Sequence, residues 1–423
     1  MSTQQAFQTE ALTTMARACR KAARGPARAT TAQKNRMLRD LADRLEAETE
    51  AILAANQRDL DAAPGYGLSA AMVDRLRLDA KRIKSIADAV RQVATLPDPV
   101  GAISDLRPQA NGIQVGKMRI PLGVICMIYE SRPNVTIDAA VLALKAGNGI
   151  IQRGGKEAFH SNHALAAQIG HALEAHGFEA AAVSLVPTTD RAAMNHLLTL
   201  EEEIDLVIPR GGEGLIRFVS RTSRIPVIKH YKGVCHLYVD ADADLDQAVA
   251  LLINGKTQRP GVCNALESLL VHADIADAFL PRALEALAEK GVEVRGCPRT
   301  QAFSDQVLAA TDDDYHAEYL DLIIAVKVVD SYDAALDHIE TYGSNHSEVI
   351  CSQNRRTTER FLRDVDASAV LVNASSRFND GGQLGLGCEI GISTTKLHAY
   401  GPMGLVSLTT EKFVVLGDGH TRD

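Results

Sequence analysis

The sequence predicts an α/β protein made of two successive α/β blocks. Three observations carry that prediction. From Pro121 onward, apolar runs of strand length alternate with helical segments, the pattern of parallel sheets covered by helices on both faces. The chain has 423 residues, 46% of them hydrophobic and 23% charged, too long for one ordinary domain and suited to two or three. Two further extended stretches, Gly112–Arg119 and Leu405–Leu416, stand outside both blocks.

The first hundred residues read as helices. Leu38, Leu41, Leu45 and Ile52 recur at helical steps, and so do Met72, Leu76, Ile83, Ile86, Val90 and Val93, until Pro97 and Pro99 end the pattern. In the first block the expected strands are Gly123–Tyr129, Gly149–Gln152, Ala182–Val186, Asp205–Ile208 and Pro226–Ile228. Asn162–His176 is an expected helix, with Gly177 at the position after it that favours glycine. The second block reads as strand His236–Val239, helix Leu245–Asn254, strand Glu267–Val271, helix Ile275–Glu289 and strand Leu322–Val329. Helix Tyr332–Tyr342, strand Glu348–Ser352, helix Arg355–Val365 and strand Val370–Val372 complete it. The stretch Leu405–Leu416 is β-prone and needs a partner strand, either in another subunit or in Gly112–Arg119.

Composition narrows the function. The formal net charge is −8 with both signs mixed along the chain, not the concentrated basic face of a nucleic-acid binder. No apolar run approaches the ~20 residues that span a bilayer, since Ile137–Ile151 is interrupted by Asp138, Lys145 and Asn148. The N-terminal stretch has no apolar leader core, so no secretory signal is expected. Its Arg17, Arg20, Lys21, Arg24 and Arg28 fit the basic outer face of an amphipathic helix better than a transit peptide. Seven widely spaced cysteines without a C-x-x-C pair suit a reducing cytoplasm. His160 and His163 lack partner carboxylates, and Asp240, Asp242, Asp244 and Asp246 lack the glycine and terminal glutamate of a calcium loop, so no metal site is expected. The aspartates suit a helix N-terminus instead.

Among the cysteines, Cys126 and Cys351 fall inside apolar strands and read as small buried hydrophobes. Cys263 follows the turn-like Gln258-Arg259-Pro260-Gly261-Val262, between a helix and a strand. A thiol on such a turn can face a pocket, with Arg259 favouring its thiolate, or be structural; position alone leaves both open. Gly385, Gly387 and Gly391 miss the dinucleotide spacing by one and follow a polar loop, not a strand, so they suit an active-site loop. Pro209-Arg210-Gly211-Gly212-Glu213-Gly214 follows a strand and opens a helix. It is either a phosphate cradle of backbone amides or a tight turn.

Five segments together resemble the γ-glutamyl phosphate reductases, a family of the aldehyde dehydrogenase superfamily, and the resemblance spans essentially the whole chain. They are PLGVICMIYESRPNVTIDAAVLALKAGN (Pro121–Asn148), IIQRGGKEAFHSN (Ile150–Asn162), GKTQRPGVCNALESLLV (Gly255–Val271), SRFNDGGQLGLGCEIGISTTKLHAYGPMGL (Ser376–Leu405) and the closing LTTEKFVV. The resemblance implies an aldehyde dehydrogenase-like α/β fold. Residues 1–104 and 121–235 would form a cofactor-binding α/β domain, 236–400 a catalytic α/β domain, and 105–120 with 401–423 a small β-arm for oligomerisation.

Residue by residue, the resemblance puts Cys263 at the nucleophile and Asn134 at the asparagine that helps form the oxyanion hole. Arg153 falls where many relatives have a lysine that meets the adenosine ribose, and Gly211 and Gly212 in the turn facing the cofactor phosphates. Glu318, in the divergent setting EYLDL, aligns with the glutamate that holds the nicotinamide ribose. Arg132, Arg259 and Arg377 lie in the matched motifs and are the candidates for the anionic groups of the substrate. The superfamily's general-base glutamate is missing, and His230 of His230-Tyr231-Lys232-Gly233-Val234 stands near its place. His230 could serve as a base or merely pack.

The implied reaction is NADPH-dependent reduction of L-glutamyl 5-phosphate to glutamate 5-semialdehyde and phosphate through a cysteine thioester, the second step of proline biosynthesis from glutamate. Absence of the general base suits an enzyme that must keep water off that thioester. A CoA-acylating semialdehyde dehydrogenase of the same superfamily also lacks the base and is the alternative; a dead scaffold would have lost Cys263 and Asn134. The resemblance further implies a cytoplasmic homo-oligomer with a small-molecule substrate, no nucleic-acid or membrane partner, and a transient contact with glutamate 5-kinase.

Overall fold

The structure, a computed structural model, describes residues 3–422. It divides into two compact units, one of Met1–Lys229, Leu386–Gly391 and Met403–Asp423, the other of His230–Gly385 and Ile392–Pro402.

The first unit begins with helices α1 (Thr3–Ala22), α2 (Thr31–Ala47) and α3 (Ala80–Thr95). Thr30 caps α2 in a capping box with Gln33. The apolar stripe expected to run from Leu38 to Ile52 is carried by two helices, because α2 stops before Glu48 and a separate helix, Thr49–Ala62, follows. The second expected helix is also broken. Asp79 caps the start of α3 through the Arg82 N–H at 2.7 Å, ending the pattern that contains Met72 and Leu76.

Strands β1 (Ile103–Pro108), β2 (Gln114–Pro121) and β3 (Val124–Tyr129) come next, followed by α4 (Asn134–Lys145) and β4 (Gly149–Arg153). Helix α5 (Phe159–Ala175), β5 (Val183–Leu185), β6 (Leu206–Arg210) and α6 (Glu213–Thr222) follow. A four-stranded parallel sheet runs in the order β5-β4-β3-β6. All six residues of β3 are buried, as a parallel strand covered on both faces requires. Pro226–Ile228, expected as a strand, makes only a single bridge, Val207 to Val227. Pro226 has no N–H to give and contributes only its carbonyl, to Val207 N at 2.9 Å.

The arm of this unit is an antiparallel sheet of β1, β2 and Thr409–Leu416. Of the two partners expected for the last strand, it takes the one in its own chain, with Thr409 opposite Pro121 and Leu416 opposite Gln114.

The second unit holds β7 (Cys235–Val239), α7 (Leu245–Thr257), β8 (Leu266–His272), α8 (Ala273–Glu289), β9 (Glu293–Gly296) and β10 (Leu308–Ala309). It continues with β11 (Ile323–Val329), α9 (Tyr332–Tyr342), β12 (Ser347–Cys351), α10 (Arg355–Asp364) and β13 (Ala369–Val372). Its seven strands are parallel in the order β10-β9-β11-β8-β7-β12-β13. Leu237, Leu269, Val326 and Val349 on one face pack with Leu252 of α7 and Phe279, Leu280 and Leu287 of α8. Tyr238, Leu270 and Ile350 on the other pack with Ile339 and Phe361. The aspartate run that resembles a calcium loop is a helix start: Asp244 caps α7, accepting from the Asp246 and Gln247 N–H groups at 3.0 Å.

Candidate active site

In the second unit, the segment between α7 and β8 carries Cys263. Cys263 is partly exposed, as are Cys297 and Cys388, while the other four cysteines are buried. Burial pushes the Cys126 and Cys351 thiols up to about 12, which suits inert core residues.

The backbone of Cys263 is held from behind by the stretch 230–235. A Cβ built on Gly233 would fall on the Cys263 carbonyl oxygen and lie 2.8 Å from its Cα, so only glycine lets the two segments touch. Two residues on, the buried Cys235 thiol donates to the same carbonyl at 3.2 Å. Ser376 Oγ donates to the Asn264 carbonyl at 2.6 Å, and Asn264 Nδ2 donates to the Asn379 carbonyl at 2.9 Å. Thus the motif around Arg377 fixes the residue that follows the candidate nucleophile.

Arg377 lies on the turn Ser376–Phe378, and its Nε donates to Gln258 Oε1 at 2.8 Å. Burial lowers its pKa, and the neighbouring Arg259 charge lowers it further, while Asp380, Cys263 and Cys235 act in the opposite sense. Two of the three expected arginines, Arg259 and Arg377, are therefore electrostatic neighbours on the Cys263 side of one unit. Arg132, the third, belongs to the other unit and precedes α4, with its carbonyl accepting from Val135 N at 3.0 Å.

Glu318 accepts the Gly233 N–H at 2.9 Å. His230 has its Nδ1 2.8 Å from the Ile392 carbonyl. A carbonyl only accepts, so His230 carries its proton on Nδ1, and a neutral ring keeps its lone pair on Nε2.

Sequence reasoning missed a buried ion pair beside this site. Lys256 Nζ lies 2.6 Å from Glu267 Oε2, with the two side chains 0% and 1% exposed. A signal was present: Glu267 sits in the otherwise apolar run LESLLV, and a buried charge needs a partner. Burial pushes Glu267 up and Lys256 down, and their mutual attraction opposes both shifts.

The first unit has a sheet topology that can accommodate a ligand. Strand order reverses between β3 and β6, and ligands of open parallel sheets bind beyond the strand carboxyl ends at that point. The ends of β3, β4 and β6 lead into Glu130, Arg153 and the turn Arg210-Gly211-Gly212. The Gly212 N–H donates to Glu130 Oε2 at 3.1 Å, and a Cβ on Gly211 would collide with the same carboxylate. Glu130 is a second residue that sequence reasoning missed. Arg153 Nη2 donates to the Thr189 carbonyl at 2.7 Å, whereas its buried Nε has no hydrogen-bond partner. Burial lowers the Arg153 pKa, and Glu157 and Glu130 partly restore it.

Asn134 is the first residue of α4, and its Nδ2 donates to Asp138 Oδ2 at 2.8 Å. Burial pushes the Asp138 carboxyl up to about 6, against the pull of Asn134 and Arg210. Among the described residues, no group of three or more His, Cys, Asp or Glu could hold a metal ion, and no helix is long and apolar enough to cross a membrane.

The sequence model described as "Aldehyde dehydrogenase family" matches residues 1–301. The chain belongs to the aldehyde dehydrogenase family. It is 64% identical over 404 residues to a γ-glutamyl phosphate reductase of Salinibacter ruber, covering 96% of this chain and 93% of that protein. A γ-glutamyl phosphate reductase of Xanthomonas axonopodis pv. citri is 56% identical over 409 residues, covering 97% of this chain and 99% of the relative. The crystal structure of γ-glutamyl phosphate reductase from Thermotoga maritima superposes with a TM-score of 0.95 at 47% identity, over 97% of this chain and 100% of that one. Within the aldehyde dehydrogenase family the chain falls among the γ-glutamyl phosphate reductases. The family's coenzyme is a nicotinamide nucleotide.

Proposed function

We propose that the chain reduces L-glutamyl 5-phosphate to L-glutamate 5-semialdehyde with NADPH, releasing phosphate. The single observation that carries this reading is that the turn holding Arg377 is hydrogen-bonded on both sides of the segment that carries Arg259 and the partly exposed Cys263, to Gln258 and to Asn264. An acyl phosphate with an α-carboxylate brings anionic groups at both ends, and arginine binds such groups in bidentate fashion. Arg132 is proposed as a third contact on the family pattern.

In this mechanism the Cys263 thiolate attacks the acyl carbon, and phosphate leaves with the electrons of the broken C–O bond. The oxyanion takes hydrogen bonds from the Cys263 N–H and, on the family pattern, the Asn134 amide. Bound NADPH supplies the hydride that reduces the acyl group to the aldehyde level. The thiohemiacetal oxygen then returns its electrons to carbon, and Cys263 leaves as thiolate. His230 is proposed to pack, with its Nδ1–H on the Ile392 carbonyl, rather than to deprotonate water.

The first unit would hold the cofactor. Gly211 and Gly212 are proposed to face its phosphates and Arg153 its 2′-phosphate, and Glu318, a residue of the second unit, is proposed on the family pattern for the nicotinamide ribose. Arm residues Ile103, Leu106, Phe413 and Val415 are exposed apolar side chains, which supports an oligomerisation arm. The cysteine usage supports a cytoplasmic setting, and a transient contact with glutamate 5-kinase is proposed on function alone.

Cys263→Ala tests the reading. Turnover should vanish while the protein folds and binds NADPH. Retention of more than about a few per cent of turnover, against the ~10⁶ loss typical of a removed nucleophile, would move the nucleophile elsewhere.

A further inference from the structure

Lys256 stands in the last turn of α7 and Glu267 is the second residue of β8, so their ion pair closes the base of the segment that carries Cys263. Stability alone does not call for it. Taking both charges out of water is costly, and well-packed apolar residues in place of such a pair are often neutral or stabilising.

What the pair supplies is direction. With Oε2 on Lys256, Glu267 points Oε1 at the Leu320 N–H, 3.1 Å away. Leu320 adopts a φ of 53°, a left-handed conformation that a leucine holds only where its surroundings impose it. Two residues earlier in the same turn, Glu318 accepts the Gly233 N–H at 2.9 Å. Gly233 lies against the Cys263 backbone, and Cys235 donates to the Cys263 carbonyl at 3.2 Å. The contacts form a closed circuit within one unit. It runs from the Cys263 segment through Lys256 and Glu267 to the turn 318–320, then through Gly233 and Cys235 back to Cys263.

We infer that Lys256 and Glu267 are a positioning pair, which sets where the Cys263 thiol stands relative to the acyl carbon without touching the substrate. The inference rests on Cys263 being the nucleophile. A reacting atom displaced by about 1 Å loses roughly 10²-fold in rate, so the pair acts on kcat and leaves ground-state binding alone.

The test compares wild type with Lys256→Met/Glu267→Leu, an apolar pair of similar bulk. Thermal unfolding, kcat, KM for glutamyl phosphate, NADPH binding and the iodoacetamide alkylation rate of Cys263 are read on the intact protein. Read at saturating NADPH, the double variant should keep its Tm, keep KM for glutamyl phosphate within about threefold, and lose roughly 30- to 100-fold in kcat with an altered alkylation rate. An unchanged kcat in a stable double variant overturns the inference, as does a KM that rises in parallel with the loss of kcat. Should the double variant fail to fold, Glu267→Gln decides. It removes the charge attraction to Lys256 that directs the side chain but keeps an acceptor for the Leu320 N–H, so kcat should fall by only about tenfold, and wild-type kcat would again overturn the inference. If Cys263→Ala is inactive and the double variant is fully active, the positioning role alone is wrong. If Cys263→Ala is active, the nucleophile assignment is wrong and the pair has nothing to position.

Discussion

Adding one methyl group at Gly233 tests the geometry around Cys263 severely. A Cβ there would lie 2.7 Å from the Cys263 carbonyl carbon and 2.8 Å from its Cα, besides falling on the carbonyl oxygen. Carbon atoms in contact prefer about 3.5–4.0 Å. The two segments must therefore part by roughly 1 Å, and because the obstruction is backbone, no side-chain rotation relieves it. The same movement breaks the Cys235 hydrogen bond to Cys263. A nucleophile misplaced by that distance loses about 10² in rate, some 2.7 kcal/mol of transition-state stabilisation. Gly233→Ala should thus lower kcat, read at saturating NADPH, by about 100-fold; any loss of NADPH affinity should be much smaller, since the residues proposed for the cofactor phosphates lie in the other unit and only Glu318 is bonded to Gly233. The assay is steady-state reduction of glutamyl phosphate, with thermal unfolding as the folding check and iodoacetamide alkylation reporting on Cys263. A folded Gly233→Ala with kcat within threefold of wild type would refute the argument.

The other expectations concern the first unit. Asn134→Ala should cost roughly 10²–10³ in kcat, the usual loss for one oxyanion donor, with cofactor affinity intact; a loss below threefold would leave Asn134 with only its bond to Asp138. Arg153→Ala should weaken NADPH much more than NADH, and equal losses would place Arg153 away from the 2′-phosphate. Glu130 holds the Gly212 N–H that a cofactor phosphate would also seek, so Glu130→Gln should tighten NADPH by a few-fold in a fluorescence titration. A weaker complex would show that Glu130 helps to bind the cofactor.

Burial decided which parts were legible in the sequence. Strands β3 and β8 read clearly because both faces are covered, which writes them as near-continuous apolar runs. β1 left no such trace: ISDLRP is exposed at every position, and its pairing with β2 comes from the arm, not from a core. β9, EVRG, is short and charged and takes its place from its parallel neighbour β11. The same rule governs the site. Cys263 stood out as a candidate because its turn and motif are local. Gly233 was not, because a glycine required by a segment thirty residues away looks like any other glycine. Lys256 and Glu267 left a faint signal, a charge inside an apolar strand, but the partner that satisfies it is visible only in three dimensions.

The central claim is that acyl transfer from Cys263 goes to phosphate and not to water. Run in reverse, the enzyme should oxidise glutamate semialdehyde with NADP⁺, and NADPH formation with and without phosphate or arsenate measures that choice directly. The segment His230-Tyr231-Lys232-Gly233-Val234 offers no carboxylate in place of the superfamily's general-base glutamate. Wild type should therefore form NADPH only when phosphate or arsenate is supplied. His230→Glu should gain phosphate-independent oxidation at a cost to the forward reduction. Brisk NADPH formation by wild type in phosphate-free, arsenate-free buffer would show that water reaches the thioester, and would contradict the account.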